Sequence, residues 1–213
     1  MNKTAAATIF FLGITLKSMS AMANPELPDI DLPAPRTDAG KPLMAALKAR
    51  QSGRAFSDKP LPPQILSDLL WAACGVNRPD SGKRTAPTAR NWQEIDVYAV
   101  TAEGAYFYDH RAHRLKAVIK GDLRAQTGKQ DFVAAAPLNL VFVADTSRMK
   151  GASPADADLY SATDAGFVSQ NVYLFCASEG LATVVRGMVD RPALAKALGL
   201  PAHCKIVLAQ SVG

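Results

Sequence analysis

The sequence is poor in the residues from which metal centres, disulfide frameworks and side-chain catalysts are assembled. Its three cysteines, Cys74, Cys176 and Cys204, are odd in number and far apart, with no C-x-x-C pair. That excludes a thiol redox motif and a disulfide framework, while leaving room for a single bridge. Cys74 and Cys176 fall in apolar helical surroundings, where a small buried hydrophobe is expected. The three histidines, His110, His113 and His203, form no metal-ligand set by spacing, and His110 and His113 flank a charged turn that predicts exposure. G-x-S-x-G, P-loop, H-E-x-x-H and G-x-G-x-x-G patterns are missing, which removes the common signatures of nucleophilic, phosphate-loop, zinc-protease and dinucleotide sites. No run of five or more like charges occurs, so the basic balance argues little for nucleic acid.

What is present begins with an export signal. Lys3, an apolar run from Ala5 to Leu16 and the small-residue site Ala21-Met-Ala23 have the layout of a secretory signal over 1–23. The run is shorter than the roughly 20 residues that span a bilayer. The alternative is an N-terminal anchor that is never cut. Cleavage removes Lys3 and Lys17 and takes the formal charge from +5 to +3. The expected location is periplasmic or secreted, with no membrane span after cleavage.

Residues 24–40 hold four prolines and little hydrophobic mass, which predicts an extended linker or wrapping arm. From Lys41 to Gly213 the pattern is that of one folded domain. A short helix with Pro42 in its first turn comes first. A second helix starts at Pro62-Pro63, repeats Ile65, Leu66, Leu69, Leu70 and Ala73 at helical spacing, and stops at Gly75. Residues 76–94 read as a polar loop. Alternation then predicts a strand at "IDVYAVT" and a hairpin around His110–His113, and "GDLRAQTG" a short helical piece. "APLNLVFVAD" is a continuous apolar run of the kind found in a central strand. Residues 161–180 form the longest expected helix. Val168, Val172, Phe175 and Cys176 share one face, Phe167 and Leu174 spread the apolar surface, and Gly180 supplies the cap. A helix so apolar on several sides is expected to be buried, centrally or against a second subunit. "LATVVRG", a small helix at "RPALAKALG" and a last strand at "KIVLAQSV" complete the chain. Strands and helices mix without strict alternation, so the expected class is α+β, a sheet flanked by helices.

Three polar stretches stand out. In "KARQSGRAF", Arg50, Ser52 and Arg54 alternate, so an extended backbone places two guanidinium forks and a hydroxyl on one side, a good phosphate clamp. A solvated charged turn explains the same spacing. In "APTARNWQ", hydroxyl and amide groups after a proline suit the polar edge of a heteroaromatic ring. "GLATVVRG" runs from a helix end to a glycine that lets backbone N–H groups approach a ligand.

Taken in order over roughly residues 41–213, the three stretches resemble the nitroreductase-like flavoprotein family. "ARQSGRAF" is similar to its opening Arg-x-Ser-x-Arg/Lys signature. "PTARNWQ" is similar to its Pro-Ser-Ser-x-Asn-x-Gln loop, and "NVYLFCASEGLATVVRG" to its long helix followed by a Gly-Leu-x-Thr strand. The resemblance implies FMN, a mostly antiparallel sheet, and a homodimer with two flavins at the subunit interface. It places Arg50 and Ser52 on the phosphate and Arg54 at the flavin N1/O2 edge. It brings Pro87, Thr88, Ala89 and Asn91 to the ring from the partner subunit, and lines the other side with Val184, Val185, Arg186 and Gly187, a backbone N–H lying near N5. The chemistry is then carried by the cofactor, with no protein nucleophile. The implied activity is transfer of electrons or hydride from a small-molecule donor to an acceptor such as a nitroaromatic or quinone.

Two departures matter. Arg186 stands where the family often has an acid, and was open to two readings, a lure for anionic substrates or a plain surface charge. The basic residue often found past the last strand has no counterpart before Gly213. An exported enzyme also does not meet cytosolic NAD(P)H, so a quinol or redox partner is the alternative donor. A flavin-binding module without turnover and an azoline-oxidase-like dehydrogenase are the alternative functions.

Overall fold

The computed structural model describes residues 27–213; the expected signal lies outside them. The chain runs β1 (Ile30–Asp31), α1 (Leu43–Ala49), α2 (Pro63–Cys74), β2 (Val76–Arg78), β3 (Lys83–Arg84), β4 (Ile95–Val100), β5 (Gly104–Asp109), β6 (Arg114–Lys120), β7 (Leu138–Asp145), α3 (Pro154–Glu179), β8 (Thr183–Arg186), α4 (Arg191–Ala197) and β9 (Cys204–Val212). Short 3-10 turns fill several connections. Seven strands form one sheet in the order β1-β6-β5-β4-β7-β9-β8, and every pairing in it is antiparallel. The α+β expectation therefore holds.

The central place of β7 follows from its composition. Leu138 to Ala144 are all buried, because both faces of the strand are covered. On one face Leu140, Phe142 and Ala144 meet α2 and α3 through Leu69, Leu70, Ala73, Val168, Val172 and Cys176. On the other, Val141 and Val143 meet Leu194 and Leu198 around α4. Truncating a side chain as enclosed as Phe142 costs about 3–5 kcal/mol in cores of this kind.

The arm wraps as its prolines suggested. Ile30 pairs with Leu115 and Asp31 with Arg114, adding β1 to the sheet edge. Asp68 of α2 holds the arm further along: it accepts from the Arg36 N–H and Nε, both at 2.8 Å, and from Gln64 at 2.9 Å. Burial alone would raise the Asp68 carboxyl, but these donors outweigh it and hold it below its usual value.

Three expectations change. The 76–94 loop contains the two-stranded ribbon β2–β3. Helix α3 begins at Pro154, a full two turns ahead of 161, because Ser153 caps it by accepting the Asp156 N–H. His110 and His113 are not exposed turn residues but half-buried connectors. Arg84 Nη2 lies 3.0 Å from His110 Nε2, and burial, with repulsion from Arg84, lowers His110 to about 4. His113 lies 2.9 Å from the Tyr108 hydroxyl through Nδ1 and 2.7 Å from Ser67 Oγ through Nε2. Cys74 and Cys176 are buried, and all three cysteines are free. Among the described residues no helix is long and apolar enough to cross a membrane.

Candidate functional site

The first stretch leaves α1 at Arg50, whose N–H caps the helix by donating to the Ala46 carbonyl at 2.9 Å. Beyond it, residues 50–57 carry no regular secondary structure. Gly53 docks this segment on the sheet edge, its N–H donating to the Thr183 carbonyl at 2.9 Å. A Cβ at Gly53 would stand 3.1 Å from the Ala182 Cβ, so a glycine permits the approach. Arg50 and Arg54 form no ion pair with the described residues, and Arg54 is exposed.

Tyr173, on α3, ties the first stretch to the third. Its hydroxyl lies 2.9 Å from Ser52 Oγ and accepts the Val185 N–H at 3.0 Å. The Arg50 guanidinium sits 5.4 Å over its ring, a cation–π distance. Arg50 and Ser52 are thus assembled with strand β8 within one chain, and exposed Arg54 follows two residues on.

On β8, Val184 is buried and Val185 half-buried; Gly187, just past the strand, is exposed, and a Cβ there would meet only Leu208 Cδ2, at 4.0 Å. The Arg186 side chain corrects both sequence readings of its charge. It is only 4% exposed and turned into the protein. It donates to the Thr127 carbonyl at 2.7 Å, Thr127 Oγ1 at 3.3 Å and Asn139 Oδ1 at 2.8 Å. A Cβ on Gly128 would fall 1.9 Å from Arg186 Nη1, so that position has no room for a side chain. No carboxylate pairs with this cation, its Nε has no partner, and burial lowers it to about 10. The backbone of Arg186 is paired with Ala209 of β9.

The second stretch folds into a tight loop in which Arg90, Asn91 and Gln93 all take positive φ, between 50° and 55°. Such conformations are costly for residues with a Cβ and persist where surrounding bonds impose them. Here Thr88 Oγ1 donates to Glu94 Oε2 at 3.1 Å and accepts the Gln93 N–H at 2.9 Å. The Ala89 N–H donates to Asp164 Oδ2 of α3 at 3.0 Å. Pro87 and Asn91 are left exposed. Glu94 is fully buried, and burial, with the neighbouring Asp164 carboxylate, raises it to about 7.

Both anchors, Asp164 and Tyr173, belong to α3. Nine residues apart, they stand about 13 Å apart along the axis and about half a turn round it, on opposite faces. Within the chain, Tyr173 therefore brings Arg50 and Ser52 to Val185 of β8, while Asp164 holds the loop of Pro87, Thr88, Ala89 and Asn91 on the other side of α3. A cavity of about 280 Å³ between the arm, α2 and the sheet, lined by Leu61, Leu66, Tyr106 and Leu138, contains none of these residues. Sequence reasoning missed Tyr173, Asp164 and Glu94. The first two lay inside an apolar helical pattern, and only the isolated acid before the strand at Ile95 offered a signal.

An antiparallel sheet packed against one face of a long helix, whose other face leaves Leu159, Tyr160 and Phe167 exposed, with the Arg50 guanidinium free of any ion pair among the described residues, defines an α+β protein suited to an anionic ligand. The chain belongs to the Nitroreductase family, whose model matches residues 47–213. A curated Methanocaldococcus jannaschii protein named as a candidate nitroreductase is 30% identical over 155 residues, covering 68% of this chain and 78% of that protein. A crystal structure from Ralstonia eutropha, likewise described as a candidate nitroreductase, is 46% identical with a TM-score of 0.83, covering 87% of this chain and 88% of that one. An NADPH:FMN oxidoreductase from Vibrio harveyi, solved with NAD+, shares the fold at 22% identity and a TM-score of 0.59, covering 80% and 67%. Family membership supports flavin-dependent oxidoreduction in general.

Proposed function

We propose that this protein is an exported, homodimeric, FMN-dependent oxidoreductase that reduces a small acceptor such as a quinone or nitroaromatic. The observation that carries the reading is the Arg50 guanidinium, set over the Tyr173 ring with no ion-pair partner among the described residues, beside the Ser52 hydroxyl and the Val185 N–H of β8, which meet at the Tyr173 hydroxyl. These residues fit FMN, because a free fork and a hydroxyl are donors a phosphate takes, and the second guanidinium is a positive charge for the ring edge. When bound, FMN accepts hydride or electrons at N5 and passes them to a second substrate.

The chain's own part is to bind, orient and set charge. Arg50 and Ser52 hold the phosphate. Arg54 presents positive charge to the N1/O2 edge, where reduction deposits negative charge. On β8 the outward backbone positions alternate: the Thr183 carbonyl is taken by Gly53 and the Val185 N–H by Tyr173. Gly187 is the next position on that edge, so its N–H is the one available to face N5. Pro87, Thr88, Ala89 and Asn91 reach the ring from the partner subunit, since α3 holds them on its far side within their own protomer. Exposed Leu43, Met44 and Leu47 of α1 and Leu159, Tyr160 and Phe167 of α3 are apolar surface that a second copy would cover. With an export signal over 1–23, the donor is a quinol or a redox partner in place of cytosolic NAD(P)H.

The test is an absorption spectrum of the purified protein, then anaerobic titration with NADH, NADPH and a quinol. Bound flavin that a donor reduces and a quinone reoxidises is expected. Colourless protein that takes up no added FMN overturns the cofactor. Flavin inert to every donor and acceptor leaves a binding module in place of an enzyme.

A further inference from the structure

The two histidines nearest each other in sequence are structural connectors, but the third meets chemistry that its spacing concealed. Asp145 ends β7, Cys204 opens the neighbouring strand β9, and His203 is the turn residue just before it. We propose that Asp145, His203 and Cys204 form a binding site for one divalent transition-metal ion of the zinc class.

Their ligand atoms all lie within 4.8 Å of one another, with His203 Nε2 3.7 Å from Asp145 Oδ1. Bonds of about 2.0–2.1 Å to nitrogen and oxygen and about 2.3 Å to sulfur put tetrahedral ligand atoms about 3.3–3.6 Å apart. Closure around an ion therefore needs side-chain shifts on the order of 1 Å, within the reach of one rotamer adjustment.

The backbone already holds the three together. Asp145 is the Cα partner of Cys204 in the β7–β9 ladder. The His203 carbonyl accepts from both the Thr146 N–H, at 3.0 Å, and Thr146 Oγ1, at 2.8 Å. The Cys204 N–H donates to the Pro201 carbonyl at 2.9 Å. Arg148 Nε lies 3.1 Å from Asp145 Oδ2, which fixes the carboxylate and leaves Oδ1 turned towards His203. Ser147 donates to that same Oδ1, from its hydroxyl at 2.5 Å and its N–H at 3.0 Å, and the hydroxyl must turn away when an ion binds.

Charge also balances. Arg148 is shared between Asp96 and Asp145, so the cluster carries one net negative charge before the thiol ionises and two afterwards, matching a divalent cation. A thiolate, an imidazole and a carboxylate together favour zinc-like ions over magnesium or calcium, and three protein ligands leave a fourth position for water. His203 is half exposed, which opens a path for the ion.

The site is separate from the flavin reading and does not depend on it. Ala209, not Cys204, pairs with Arg186, and the five-position offset between them spans about 17 Å of β9. A bound ion would pin the end of β7 to the start of β9.

The test is a Co2+ titration of the reduced full-length protein, followed by Zn2+. One Co2+ per chain is expected, with a thiolate-to-cobalt charge-transfer band and the strong visible bands of a tetrahedral ion, all displaced by Zn2+. At a hundred-fold excess over Kd, Zn2+ raises Tm by roughly 5–10 °C. Cys204→Ser abolishes the charge-transfer band, whereas Cys74→Ser keeps it. His203→Ala, at a half-exposed position with an unchanged metal-free melt, weakens binding about ten-fold or more. No thiolate band, or a band that survives Cys204→Ser, overturns the proposal.

Discussion

Arg50 and Arg186 carry the same group, and they are used in opposite ways. Arg186 is sealed in the protein with both terminal nitrogens committed to Thr127 and Asn139. Arg50 lies over a tyrosine ring with no carboxylate partner among the described residues. A buried guanidinium with its donors committed has nothing left for a ligand, and removing it leaves orphaned acceptors. A guanidinium at the surface with no partner contributes little to folding and keeps its fork for an anion. The difference separates residues that hold the strand from residues that hold what lies on it.

The sharpest way to break this contrast is Arg186→Ala. It opens a cavity and strips the Thr127 carbonyl and Asn139 of a donor, so urea unfolding should show a loss of about 3 kcal/mol. A loss below about 1 kcal/mol would make the network incidental. Arg50→Ala should do the reverse. Unfolding stability changes by less than about 0.5 kcal/mol, while FMN affinity, read by fluorescence titration, falls about ten- to a hundred-fold, as expected for one charge-assisted hydrogen bond. Arg54→Ala tests charge without phosphate. In FMN-loaded protein the midpoint potential should fall by about 30 mV for each 1.4 kcal/mol of lost stabilisation of the reduced flavin. An unchanged potential removes Arg54 from the ring edge.

The smallest effect concerns pH. Glu94 binds its proton more tightly in the folded chain, so its contribution to stability is complete below about pH 4.5 and is lost as pH rises through about 7. Glu94→Gln keeps the shape without the charge. Relative to the parent, the variant should gain on the order of 1 kcal/mol between pH 5 and pH 8 in chemical denaturation. A flat difference would mean that the carboxyl is not held in its neutral form.

How much of this was visible in the sequence depended on whether the signal was local. The run at Leu138–Asp145 announced its strand because burial on both faces leaves no polar position to interrupt it. Helix α2 carried its own punctuation, prolines at the start and Gly75 at the end. The first two turns of α3 were missed because Ala157 is their only buried residue, and the cue lay in the Ser153 cap. Strand β1 could not be read from two residues, since its partner lies 85 positions away at Leu115. At the site, Arg50, Ser52 and Arg54 were readable from alternation within five residues. The fate of Arg186 was not, because Asn139 and Thr127 are 47 and 59 positions distant. Tyr173 was hidden for a different reason: in a helix of mixed apolar faces, a hydroxyl that serves another segment looks like any aromatic filling the core. The Asp145–His203–Cys204 cluster is likewise a product of strand pairing.

The placement of Asp164 and Tyr173 on opposite sides of one helix gives the proposed pair of subunits a division of labour. Each chain donates the basic half of one pocket and the loop half of the other. Coexpressing an Arg50→Ala chain with an Asn91→Ala chain would then yield hybrids in which one pocket collects both defects and the other collects none, so two inactive parents should recover about half the flavin of the intact pair.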